Sequence, residues 1–113
     1  MTDCIFCKII AGEIPSKKAY EDKQILVFYD IAPAAPVHIL LVSKVHIGGA
    51  DEVTSENSAV VARIFEVAAN LACELNLGDG YRLVTNIGKN GRQSVRHLHF
   101  HLLGGKKLTE TLG

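Results

Sequence analysis

The sequence carries no net charge: 12 Lys and Arg balance 12 Asp and Glu over 113 residues. That removes the usual electrostatic case for a nucleic-acid or membrane-surface binder. There is no long hydrophobic run either. The most apolar stretch, residues 39–42, is far too short to span a bilayer. The N-terminus has no basic leader region, and Lys8 interrupts the apolar residues that follow Cys4, so it does not read as a secretion signal. Repeats, low-complexity tracts and shifts in composition are absent, which predicts one domain over residues 1–113. The 3 cysteines are an odd number without a secretion signal. Reduced thiols and a cytoplasmic location follow as the expectation.

What is present is an ordinary globular composition, 48% hydrophobic and 21% charged. Ile5, Phe6, Ile9 and Ile10 recur at helical spacing, with Gly12 and Pro15 closing a short helix. Residues 19–21, 25–29 and 37–42 read as strands, the first two joined by a turn at 21–24. Residues 30–36, with two prolines, form a loop. From Thr54 or Ser55 to Asn76, Val61, Ile64, Ala68, Leu71 and Leu75 step by three and four, predicting one long amphipathic helix stopped at Gly78-Asp79-Gly80. Residues 81–86 and 95–103 read as further strands around a loop at 88–92. Strands broken by a single long helix predict an α+β fold with an antiparallel sheet.

The most informative segment is His97-Leu98-His99-Phe100-His101-Leu102-Leu103. On a strand, alternation puts the three imidazoles on one face, roughly 6–7 Å apart, and the apolar residues on the other. Three polar rings in a row gain nothing for packing. Imidazole suits nucleophilic and proton-transfer work near neutral pH. A metal centre using all three is the rival chemistry, weakened because ligands two apart on one strand must converge on one ion. Cys4-Ile5-Phe6-Cys7 is a lone C-x-x-C, read by itself as two buried thiols or a redox pair. Cys73, within the long helix, reads as a packing residue.

The histidine segment resembles the motif of the histidine triad (HIT) family, His-φ-His-φ-His-φ-φ with φ apolar. Gln93-Ser94-Val95 before it and Gly104-Gly105 after it resemble the family's Hint branch. Glu13-Ile14-Pro15, Ala35-Pro36-Val37-His38, Lys44-Val45-His46-Ile47 and Gly80-Tyr81-Arg82 resemble further segments of the family. The resemblance spans nearly the whole chain. It implies a HIT-like fold and a hydrolase that cleaves the P–N bond of purine nucleoside 5′-phosphoramidates. His99 would be the nucleophile, forming a nucleotidyl-histidine. His101 and His38 would contact phosphate and relay a proton, and Ser94 would serve the leaving group. Asp30 would hold the ribose, its alternative being a turn residue ahead of Pro33. Asn86 and Gln93 would line the phosphate side, and Ile5, Phe6, Ile9, Phe28 and Ile31 the slot for the base of an AMP or GMP moiety.

The resemblance also implies a homodimer, no organic cofactor, and a structural Zn²⁺ on Cys4, Cys7, His46 and His97, a closed tetrahedral set. Its alternatives are a dinucleoside polyphosphate hydrolase of a sister branch and a non-catalytic purine-nucleotide-binding regulator. Arg92 stands where the family often has Gly, and Arg96 where it commonly has Tyr or Phe, which implies an altered leaving-group preference. The given sequence stops at Gly113, shortly after Gly105, so the C-terminal tail that can reach a neighbour's active site in the family is not expected here as a specificity element.

Overall fold

The computed structural model describes residues 3–112. Five strands form one antiparallel sheet: β1 (Lys18–Glu21), β2 (Ile25–Tyr29), β3 (Val37–Ser43), β4 (Arg82–Val84) and β5 (His99–Gly104). Their spatial order is β1-β2-β3-β5-β4. Alternate residues of β2 and β3 go to opposite faces. Ile25, Val27, Ile39 and Leu41 join Phe100 and Leu102 against helix α2 (Ala59–Glu74). Leu26, Phe28, Leu40 and Val42 pack against Phe6 and Ile9 of helix α1 (Ile5–Ile10). Both faces are covered, so β2 and β3 read as continuous apolar runs. The α+β fold predicted from sequence is the fold observed. Among the described residues, no helix is long and apolar enough to cross a membrane.

Local side chains set the ends of these elements. Cys4 caps α1, its Sγ accepting the Cys7 N–H at 3.4 Å, and Gly12 takes the left-handed conformation that follows the helix (φ 82°). Asp22 builds the β1–β2 turn. Its Oδ1 accepts the Gln24 and Ile25 N–H groups at 2.7 and 2.9 Å. Its Oδ2 accepts Tyr20 Oη–H and Arg63 Nε–H, both at 2.9 Å, tying the hairpin to α2.

Several predicted boundaries shift. The long helix begins at Ala59, not Thr54 or Ser55. Thr54 Oγ1 accepts the Glu56 N–H and Asn57 Oδ1 accepts the Thr54 N–H, holding that stretch in turns. The helix ends at Glu74, ahead of the glycines, because Asn76 adopts φ 60° and the Leu77 N–H returns to the Ala72 carbonyl at 2.8 Å. The last strand starts at His99 rather than Val95. Upstream, the His97 N–H turns back to Val95 O at 2.8 Å and the Leu98 N–H goes to Ile47 O at 2.6 Å. β4 is correspondingly shorter than residues 81–86.

Candidate active site

β3 and β5 pair with Leu40 opposite His101 and Val42 opposite His99. That register sets His38 of β3 beside His99 and His101 of β5 on the α1 face. His99 is 3% exposed. Its Nδ1–H donates to the His97 carbonyl at 2.6 Å, which leaves Nε2 as a bare lone pair. The Phe6 ring stands edge-on to it at 4.9 Å, and Phe6 in turn meets Phe28 at 5.6 Å. His38 Nδ1 accepts the Ala34 N–H at 3.0 Å, so the His38 proton sits on Nε2. From there it donates to His101 Nδ1 at 2.9 Å, leaving N–H on the far nitrogen of His101. Asp30 Oδ2 lies 3.5 Å from His38 Nε2, while Oδ1 accepts the Ala32 N–H at 2.8 Å. Two tautomers are thus fixed by backbone groups alone: one ring offers a lone pair and the adjacent pair offers a proton path.

Burial disfavours the charged forms of His99 and His101. It holds His99 below the ordinary histidine range, against the opposing pull of the His97 carbonyl and of Asp30. His101 is pushed down to about 4, first by burial and then by His99 and His38.

The first triad histidine faces elsewhere. His97 is fully buried, and its Nε2–H donates to Ser43 O at 2.6 Å. Its Nδ1 lone pair therefore points at Cys4 Sγ (3.3 Å), Cys7 Sγ (3.6 Å) and His46 Nδ1 (3.1 Å). Cys7 Sγ is also 3.3 Å from His46 Nδ1. Donor atoms around one tetrahedral ion with Zn–N and Zn–S bond lengths lie about 3.3–3.8 Å apart. The four groups fit such a site, and all their ligand atoms fall within 4.8 Å of one another. Burial and the neighbouring Cys4 raise the Cys7 thiol, a penalty that a coordinated cation would reverse. The cluster can hold a metal ion. A centre made of all three triad rings does not form, because His97 and His101 face different partners.

The other expected residues divide. Phe6, Ile9 and Phe28 are buried together beneath the His99 ring. Ile5 is half exposed and Ile31 fully exposed, so neither closes a slot with them here. Asn86 borders a cavity of about 370 Å³ that also touches His38 and His101, and its amide donates to Gly91 O at 2.7 Å. Gln93 is a bracket: Nε2–H donates to Gly48 O and Val95 O, and Oε1 accepts the Gly88 N–H and Arg96 Nη1–H. Ser94 is exposed beside Cys4, Ile5 and His46, and no hydrogen bond among the described residues joins it to His99. Arg96 is held by Asp51 and Glu52, and Arg92 is an exposed residue at φ 65°, where glycine is the natural occupant. A larger cavity of about 440 Å³, between Asn76 and Lys107, contains none of the histidines.

Fold and site together define a small α+β domain built around buried, tautomer-locked histidines. The family model described as "Scavenger mRNA decapping enzyme C-term binding" matches residues 3–112. An uncharacterised HIT-like protein of Buchnera aphidicola is 43% identical, over 97% of this chain and 99% of its own. A HIT family hydrolase from Clostridium thermocellum superposes with TM-score 0.96 and 42% identity, over 99% of this chain and 98% of its own. A histidine triad nucleotide-binding protein from Candida albicans gives TM-score 0.80 and 33% identity, over 98% and 87%. The chain belongs to the histidine triad family.

Proposed function

We propose that this protein is a hydrolase that binds a purine nucleotide and cleaves the P–N bond of nucleoside 5′-phosphoramidates. One observation carries the reading: the His99 Nδ1–H bond to the His97 carbonyl, which leaves Nε2 free as a nucleophile beside the His38–His101 pair. The solved relatives named as a hydrolase and as a nucleotide-binding protein support the same class.

His99 Nε2 attacks the α-phosphorus, forming an N–P bond as the substrate's own P–N bond breaks. The departing amine needs a proton. The free His101 is neutral, but a bound phosphate anion raises the proton affinity of the pair and lets it take up one proton. His101 then gives that proton to the amine, while His38 steadies its other nitrogen. In the second half, the pair takes a proton from water, whose oxygen attacks phosphorus and breaks the bond to His99. Nucleoside monophosphate leaves and the Nε2 lone pair returns. Asp30 holds the ribose, and Asn86 works at the phosphate side. Ser94 and Gln93 serve the leaving group. Phe6, Ile9 and Phe28 form the floor beneath the base, and Ile5 and Ile31 close over it on binding.

The ion proposed for Cys4, Cys7, His46 and His97 is zinc, which would clip α1 to the sheet and leave His99 free. A homodimer fits the open edge of β4 and the half-exposed Phe65 ring, which stands edge-on to Phe100 at 5.5 Å. The reaction is tested by following AMP release from adenosine 5′-phosphoramidate with the native protein and with His99→Ala. The reading requires release by the first and none above background by the second. Release at the native rate by His99→Ala sinks the nucleophile assignment.

A further inference from the structure

Arg96 is half exposed on the segment that leads from Ser94 into His97, yet both of its terminal nitrogens are bonded. Nη1–H donates to Gln93 Oε1 at 2.8 Å and to Asp51 Oδ1 at 3.0 Å. Nη2–H donates to Asp51 Oδ2 at 3.0 Å and to Glu52 Oε2 at 3.2 Å. These bonds take up four of the five guanidinium N–H groups. The side chain is therefore a brace and not a cation free to meet a ligand.

Its partners close a circuit. Glu52 Oε1 accepts the Gly48 N–H at 2.8 Å, and the Gly48 carbonyl accepts Gln93 Nε2–H at 2.7 Å. Gln93 Nε2–H also donates to Val95 O at 3.0 Å, while Oε1 accepts the Gly88 N–H at 3.0 Å beside Arg96. Both protons and both lone pairs of this amide are thus spent, so Gln93 serves through the place it holds. The backbone repeats the tie, the Gln93 N–H donating to Gly88 O at 3.0 Å. Residues 88–93 are closed into a loop and fastened to residues 48–52, with Ser94 exposed at the next position.

The two buried glycines make room for the circuit. A Cβ at Gly48 would lie 2.6 Å from Glu52 Oε1 and 3.0 Å from Arg96 Nε. At Gly49 it would lie 2.6 Å from Arg96 Nη1, 2.8 Å from Asp51 Oδ1 and 3.2 Å from Gln93 Nε2. Gly49 has φ 179°, extended backbone that any residue adopts, so the space for the guanidinium is what the missing side chain provides there.

We propose that Arg96 is a positioning residue for departure of the leaving group: braced by Asp51 and Glu52, it holds Gln93, and through Gln93 it sets where Ser94 stands. This rests on the reading above that Gln93 and Ser94 serve the leaving amine. A single exposed ion pair contributes little. Here one ordered side chain makes four hydrogen bonds, two of them to one carboxylate, so the cost of ordering it is shared.

Arg96→Met removes the brace, and Gly49→Ala displaces the guanidinium while keeping Arg96. Each variant is assayed with two AMP derivatives. One is the phosphoramidate of an alkylamine, whose amine must gain a proton to leave. The other is the para-nitrophenyl ester, whose phenolate leaves without one. Arg96→Met lowers kcat for the phosphoramidate by about tenfold and Gly49→Ala by about threefold, with AMP affinity and ester turnover within about twofold of native. Equal losses on both substrates mark a general loss of packing and overturn the assignment, as does native kcat in Arg96→Met. In a Ser94→Ala background, Arg96→Met has no further effect on the phosphoramidate; a further loss of about tenfold there shows that Arg96 does not act through Ser94 and also overturns it. If the native protein cleaves no phosphoramidate, the proposed reaction fails, and the brace is read on its own by amide hydrogen exchange. Exchange of the Gly88 N–H about tenfold faster in Arg96→Met supports positioning by Arg96, and exchange at the native rate overturns it.

Discussion

Replacing Phe6 with alanine tests whether α1 is part of the catalytic floor or only one wall of a base slot. Phe6 is 6% exposed and sits edge-on to three rings: His99 at 4.9 Å, Phe28 at 5.6 Å and His97 at 5.9 Å. A buried Phe→Ala change costs about 3–5 kcal/mol. Here α1 is only 6 residues long and Ile5 is half exposed, so the helix can settle inward and the lower end, about 3 kcal/mol, applies. For a chain of this length that lowers Tm by about 12 °C. Phe6→Leu keeps most of the volume and should cost about 1 kcal/mol. The assay is urea unfolding of both variants, followed by kcat and KM on adenosine 5′-phosphoramidate. Losing the ring that braces His99 should lower kcat more than it raises KM. A loss of under 1 kcal/mol in Phe6→Ala, together with weakened AMP binding and an unchanged kcat, would refute the packing argument and make Phe6 a base contact alone.

Protein purified without chelator should contain about one equivalent of zinc, and Cys7→Ala should lose both the metal and several kcal/mol of stability; metal content below about a tenth of an equivalent in elemental analysis contradicts the site. His101 should titrate near its depressed value of about 4 in the free protein. The sign follows: the unfolded chain takes the proton first, near 6.5, so this group erodes stability as pH falls from about 6.5 to about 4 and adds nothing further below. NMR of the His101 ring checks it, and AMP should move its titration upward. Asp22→Ala removes four hydrogen bonds at the β1–β2 turn and should cost about 2–3 kcal/mol in urea unfolding, while a change below 0.5 kcal/mol would show that the turn holds without them.

Much of this was legible in the sequence because it is local. The alternation of His99 and His101 with Phe100 and Leu102 marks the strand and its two faces. Cys4 and Cys7 one helical turn apart meet His46 and His97 where the resemblance placed them. What was not legible depends on where backbone groups lie, several of them distant in sequence. Nothing in the alternation of residues 95–98 shows that Leu98 will bond Ile47 and bend the chain, turning the His97 ring toward Cys4, Cys7 and His46. Ala34 and Ser43 fix the protons of His38 and His97 through an amide and a carbonyl, groups every residue possesses. The Gln93 amide could serve a ligand or a loop with the same atoms, and only the positions of Gly48, Gly88 and Val95 make it a bracket.

The central claim is that His99 Nε2 forms a covalent bond to phosphorus. Rapid quench in base of the native protein mixed with excess adenosine 5′-phosphoramidate, followed by peptide mass measurement, tests it most directly. The prediction is a mass increase of one AMP group on the peptide containing His99, mapped to that ring by fragmentation and absent in His99→Ala. AMP release at full rate with no adduct, or with the adduct on His38 or His101, would contradict it.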